Sequence, residues 1–258
     1  MTFTPLILKM RSVSSANCAV RLASLRALGT LQLSLALAVL SIASTAIARD
    51  TVVDATARLP AFSEVVIDTV GEVRLVPGSS FSYSLQAAPQ VVKALKFKVT
   101  KNVLHIAAEN SFQTDAPVRM TITLPQLDRA DLSGSANVDS GVPTGRKFIL
   151  SVSGAGNYVG REANCDSAVV DVSGSGEARL VGRCVELQLK LSGAGDAKLR
   201  QFRVDTATVT NSGSGDSELT VAKTLNARIG GSGDITYAGN PRVIQAVSGS
   251  GAISRSSM

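Results

Sequence analysis

Apolar and polar residues alternate along most of the chain from residue 130 onward, and the alternation recurs at a fixed interval. Leu150/Val152, Val170/Val172 and Leu189/Leu191 are apolar, with Ser151, Asp171 and Lys190 between them. A few residues later Ala178/Leu180, Ala197/Leu199, Ser217/Leu219 and Ile235/Tyr237 share one parity, and Arg179, Lys198, Glu218 and Thr236 take the other. A period of two predicts strands with one buried face. A third apolar stretch opens most units, as in Val185-Glu186-Leu187 or Val243-Ile244. Each unit therefore predicts two or three short strands joined by tight corners.

The corners carry a repeated motif, apolar-Ser-Gly-Ser/Ala-Gly-Asp/Asn/Glu. Its first glycines are Gly134, Gly154, Gly174, Gly193, Gly213, Gly231 and Gly249, spaced 20, 20, 19, 20, 18 and 18 residues apart. Its second glycines are Gly156, Gly176, Gly195, Gly215, Gly233 and Gly251. Helical repeats need longer units, and Gly, Ser and Thr favour turns over helix. Strands recurring about every 20 residues can instead stack in parallel, about 4.8 Å apart, each residue above its equivalent. The expected fold is all-β: a right-handed parallel β-helix (β-solenoid) of about 20-residue coils with an N-terminal β-rich cap. Two inward columns follow. One is Leu132, Val152, Val172, Leu191, Asn211, Ile229 and Val247; the other is Ala130, Leu150, Val170, Leu189, Val209, Ala227 and Gln245. Asn211 interrupts the first, either by bonding backbone inside the core or by marking a bulge. The glycines read as structural corners, needed for positive φ or for close backbone approach, with the preceding serines bonding neighbouring backbone or the serine above.

The repeated Ser-Gly-Ser/Ala-Gly-Asp units resemble the GIN-domain family of auto-transporter adhesin heads. So do the lead-in Phe62-Ser63-Glu64-Val65-Val66-Ile67 to Val73-Arg74-Leu75, and Met120-Thr121-Ile122-Thr123-Leu124-Pro125 with Leu127. The resemblance covers roughly residues 59–254. It implies a right-handed parallel β-helix, export from the cytoplasm and no established enzymatic activity.

Residues 59–128 lack the glycine repeat but still alternate. Val73/Leu75, a turn at Pro77-Gly78 and Phe81/Tyr83/Leu85 predict one hairpin. Leu95/Phe97/Val99 and Leu104/Ile106, turning at Lys101-Asn102, predict another, with a short helical turn at Gln90–Ala94. This region is expected to start the sheet and cap the solenoid. The division is a signal segment at 1–48, a linker at 49–58, the cap at 59–128, the solenoid at 129–254 and a tail at 255–258. The C-terminal cap is meagre, which points to end-to-end self-association at that end.

The N-terminus changes the charge reading. Lys9, Arg11, Arg21 and Arg26 precede an apolar run from Leu28 to Ile47 that closes on Ala46-Ile47-Ala48. These are the parts of a secretory signal cleaved near Ala48, giving a periplasmic, secreted or cell-surface protein. The alternative is an uncleaved membrane anchor, the one expected route to a membrane, since about 20 apolar residues span a bilayer. Cys18 lies ahead of the run, which argues against a lipoprotein anchor. Past Ala48 the chain holds 22 basic and 20 acidic residues, a net charge of +2 rather than the +6 of the whole sequence. It has no basic run with interleaved aromatics, so nucleic acid is not an expected partner.

Candidate chemistry is sparse. Glu177, Asp196, Asp216 and Asp234 follow four consecutive corners and invite a Ca²⁺ ladder, against the plainer reading of turn residues bonding local backbone. Cys165 and Cys184 each stand nine residues before the next first glycine. They can form one disulfide or remain two stacked thiols. His105, the lone histidine, falls on the polar parity of Leu104-His105-Ile106, a solvent-facing strand position. No nucleophile elbow occurs and no catalytic residue or cofactor is expected. The reading is a non-enzymatic binding, adhesion or structural module whose partner is an envelope protein or a glycan. The competing reading is a carbohydrate-active β-helix enzyme, a polysaccharide lyase or hydrolase.

Overall fold

A computed structural model describes residues 52–256; the expected signal segment, its expected cleavage site and Cys18 lie outside the described residues. The repeated units form a parallel β-solenoid. On one face stand β8 (Leu127–Leu132), the end of β10 (Thr144–Val152), and the C-terminal halves of β11 (Tyr158–Val172), β12 (Ala178–Leu191), β13 (Ala197–Asn211) and β14 (Ser217–Ile229), followed by β16 (Arg242–Val247). The second face runs from β9 (Ser135–Ser140) through the N-terminal segments of β11 to β14, then β15 (Ile235–Ala238) and β17 (Ile253–Arg255). Register shifts inside β11 to β14 bend each long strand onto a third face, where residues 163–165, 182–184 and 202–204 are stacked.

The register is that of the apolar columns. Leu132, Val152, Val172, Leu191, Asn211, Ile229 and Val247 pair one above another, as do Ala130, Leu150, Val170, Leu189, Val209, Ala227 and Gln245. All members up to Ile229 and Ala227 are buried. Asn211 stays in register without a bulge. Its Nδ2 donates to the Gly215 carbonyl at 2.8 Å and its Oδ1 accepts from the Gly213 N–H at 3.1 Å, so the buried amide closes the corner of its own coil.

The corner glycines lie outside the positive-φ region; the only glycines at positive φ among the described residues are Gly71, Gly182 and Gly239. Close approach is their reason. The Gly154 carbonyl accepts the N–H groups of Ser175 and Gly176 at 3.1 and 3.3 Å from the coil above, and the Gly134 carbonyl accepts those of Ala155 and Gly156 at 3.1 and 3.2 Å. A Cβ on Gly174 would fall against the carbonyl oxygens of Gly154 and Ser153. The same holds up the stack. Of the two options open to the serine column, Ser153, Ser212 and Ser248 take the backbone one: their hydroxyls donate at 3.3 Å to the carbonyls of Leu132, Leu191 and Ile229.

The N-terminal part departs from its expected layout. Residues 53–58, expected in a linker, form β1 (Val53–Arg58), antiparallel to β4 (Ser82–Ala87). β5 (Leu95–Thr100) and β6 (Val103–Ala108) make the expected hairpin, with Lys101 and Asn102 at φ 50° and 70°, the sign a two-residue primed turn requires. The helical turn is α1 (Pro89–Ala94), which buries Val91 and Ala94. The hairpin expected at Pro77-Gly78 does not form. β3 (Val70–Pro77) pairs in parallel with β7 (Arg119–Leu124) on one side and β9 on the other, so both its edges are taken, and β4 joins β7 instead. β2 (Glu64–Asp68) likewise lies between β6 and β8. The first coil in the sequence is thus inserted between the second and the third. Its corner is Asp68-Thr69-Val70-Gly71, with Thr69 where later coils have glycine, which hides it from motif reading. Ile106 and Ile67 extend the first apolar column at this end, and Leu104 and Val65 the second.

At the C-terminal end β16 pairs only with β14 and β17 only with β15. Ile244 and Val247 are 49% and 47% exposed there.

Replacing Gly174 by Ala is expected to destabilise the protein by about 2 kcal/mol or more, because backbone lies where the methyl must go. Gly230→Ala, whose Cβ would meet nothing nearer than the Ser248 hydroxyl at 3.9 Å, should be close to neutral. Urea denaturation of the two variants checks the contrast.

Candidate functional site

The inserted coil builds the most developed surface site. Strands β4, β7, β3, β9 and the start of β11 lie side by side, and their outward residues form two rungs across the sheet. Pairing and cross-strand bonding place Gln86, Arg119, Glu72, Asn137 and Asn157 on the first rung. The second carries Ser84, Thr121, Arg74, Asp139 and Val159. At the usual strand spacing five strands span about 19 Å. A shallow groove of about 550 Å³ lies over both rungs.

The side chains hold one another in place. Arg119 Nε donates to Glu72 Oε2 at 3.0 Å, and Asn157 Nδ2 donates to Asn137 Oδ1 at 2.9 Å. Arg161 grips Asp139 in a two-point pair at 2.8 and 3.0 Å. That hydrogen bond is the main reason the Asp139 carboxyl is held below its ordinary range, with the charges of Arg161 and Arg74 adding to it against partial burial. Arg74 faces Thr121 on one side and Asp139 on the other, and its guanidinium makes no hydrogen bond among the described residues, leaving its donors available. Both carboxylates are engaged by arginines, and Asp139 is pushed away from the raised pKa a general acid requires. The arrangement suits hydrogen-bonded recognition of a polar ligand better than proton transfer.

Beneath the groove Tyr158 is fully buried, with Phe148 at a ring-centroid distance of 6.3 Å; burial pushes its pKa well up. Tyr83 and Phe97 stack at 3.9 Å between centroids and tie β4 to β5 across the cap.

The other candidates fall elsewhere. Asp196, Asp216 and Asp234 each accept, through Oδ1, the backbone N–H of the equivalent residue one coil on, at 2.9, 2.8 and 2.7 Å for Asp216, Asp234 and Ala252. Asn157 does the same for Glu177 at 2.9 Å. The acids therefore complete a backbone ladder, and no three His, Cys, Asp or Glu side chains converge on a metal position among the described residues. Glu177 is set apart. Burial raises its pKa, but hydrogen bonds from Lys198 and Arg179 outweigh that and lower it overall. Cys165 and Cys184 stand in register on the third face, joined as a disulfide, with Cα atoms 4.7 Å apart. His105 is exposed on β6.

The sequence matches the family described as "Putative auto-transporter adhesin, head GIN domain" over residues 61–241. The chain belongs to the GIN-domain family. Among curated proteins none matches. Solved structures similar to it include a "putative adhesin" from Bacteroides fragilis, with a TM-score of 0.76 and 20% identity over 80% of this chain and 97% of that one. A "putative lipid binding protein" from Parabacteroides distasonis aligns with a TM-score of 0.63 and 16% identity, again over 80% and 97%. A "putative adhesin" from Parabacteroides merdae gives 0.60 and 18%, over 80% and 96%. At these identities the likeness is one of fold. The family and these neighbours carry adhesin or lipid-binding names, none of them an enzyme's. No helix among the described residues is long and apolar enough to cross a membrane.

Two outcomes test the geometry. Removing both thiols by Cys165→Ala with Cys184→Ala should cost roughly 2–4 kcal/mol of stability, the range usual for a disulfide, and wild-type mass should rise by two hydrogens on reduction. A lowered carboxyl pKa stabilises above the unfolded-state value and is lost as pH falls through the folded one. Asp139→Asn should therefore cost under about 1 kcal/mol at neutral pH, since the pair is solvent-screened. The deficit should vanish well below pH ~4 in paired denaturation curves.

Proposed function

We propose that this GIN-domain protein is an exported binding module of the cell envelope, and that the two-rung face of β4, β7, β3, β9 and β11 takes an extended glycan. The observation that carries this is the set of amide, guanidinium, hydroxyl and carboxylate groups fixed on a rigid sheet around the free donors of Arg74. Such groups match sugar hydroxyls, and the shallow, polar groove is a poor place for an acyl chain. Export is supported by the basic, apolar and small-residue parts of the N-terminus and by a paired cysteine couple, which persists in oxidising compartments. A solenoid suits the task because its outer side chains sit on a backbone that cannot slide without breaking every column.

A glycan array probed with the purified protein and with Arg74→Gln tests the reading. Arg74→Gln should bind the best-retained glycan at least about tenfold more weakly, the effect of losing one charge-assisted hydrogen bond, with an unchanged melting temperature. Equal binding by both proteins would remove this face from the function.

A further inference from the structure

Two places in the described residues set cations directly opposite each other on neighbouring strands of the solenoid. Such pairs repel, because strands lie only about 4.8 Å apart. At the first, Arg179 opposite Lys198, the fold supplies its own remedy: the Glu177 carboxylate bonds to both cations. At the second, Arg183 stands opposite Arg203 on the third face and no carboxylate bridges them. Arg183 Nε donates weakly to Asn164 Oδ1 at 3.4 Å, and the Arg203 guanidinium makes no hydrogen bond or ion pair among the described residues. The two nearby acids are already engaged, Asp166 by Arg146 at 3.6 Å and Asp205 by Lys223 at 2.8 Å. Both arginines open onto a groove of about 510 Å³ that is also lined by Asn164, Val185, the Cys165–Cys184 bridge and those two paired acids, Asp166 and Asp205. Val185 is half exposed there.

We infer that Arg183 and Arg203 form a second ligand site that takes a carboxylate of an acidic polysaccharide, the external counterpart of Glu177. Guanidinium groups recognise planar carboxylates in two-point fashion, and two stacked forks one strand apart can share a carboxylate or clasp successive ones along a chain. The disulfide ties the strand carrying Asn164 to the strand carrying Arg183, so the groove floor is fixed before a ligand arrives. Asn164 adds an amide for a neighbouring hydroxyl. The inference shares with the proposed function the reading of the protein as a glycan-binding module, but uses a different face and different residues.

The test measures binding of polygalacturonate, its fully methyl-esterified form and poly-L-glutamate to the wild type, to Arg183→Gln/Arg203→Gln and to Arg74→Gln. The wild type should bind polygalacturonate at least about tenfold more tightly than the neutral ester, and the double variant should lose about tenfold or more. Binding should weaken with added salt. Arg74→Gln should retain this binding, so a failure of the two-rung face and a failure of this site give different results. At low salt the double variant should melt no lower than wild type, since a repulsion has been removed, which separates ligand loss from unfolding. Three results overturn the inference: no binding of polygalacturonate by wild type, undiminished binding by the double variant, or equal binding of the methyl ester. Equal binding of poly-L-glutamate overturns the assignment to a polysaccharide.

Discussion

The structure depends on close, in-register contact between successive coils at the glycine corner. There the carbonyl of one coil's first glycine accepts two N–H groups from the next, and any Cβ in the glycine column would collide with backbone. Because the corner sets the vertical spacing, it brings each inward residue over its equivalent and closes the apolar columns. Burying those columns supplies the main stabilisation, and no coil can bury its own face alone. The glycines act through absence of volume rather than unusual dihedral angles.

Polar groups inside or beside the stack are resolved by the same geometry. Asn211 occupies a core position because its amide meets both a donor and an acceptor of its own corner. Asp196, Asp216 and Asp234 each spend one carboxylate oxygen on the backbone N–H of the next coil, and Glu177 is held instead by Arg179 and Lys198. Where two cations face each other, Glu177 joins them in one case, and in the other the opposition is left open to solvent beside a groove.

The candidate site shows where sequence reading stops. Arg74, Arg119, Asn137 and Asp139 sit on ordinary outward positions of alternating strands, and nothing local marks them. They become neighbours because β3 is inserted between β7 and β9, an order that runs against the chain. Thr69 and Gly71 make a degenerate corner in that coil, so its kinship with later coils was hidden, and the turn at Pro77-Gly78 looked like a hairpin. Arg183 and Arg203 carry no mark in the sequence; the structure stacks them on the third face, where no acid among the described residues pairs with either.

The sequence by itself determined the solenoid, its coil length, the identity of the inward columns and the juxtaposition of Cys165 with Cys184. These follow from a period of two within strands and about 20 between them, both of which are local arithmetic. Tertiary structure decided the order of the first coils, the third face, the use of the acids as backbone acceptors and the placement of both grooves. Those depend on which surfaces meet after the chain has returned on itself, and a hydrogen bond between residues 47 apart, such as Arg119 to Glu72, leaves no trace in the pattern of either segment.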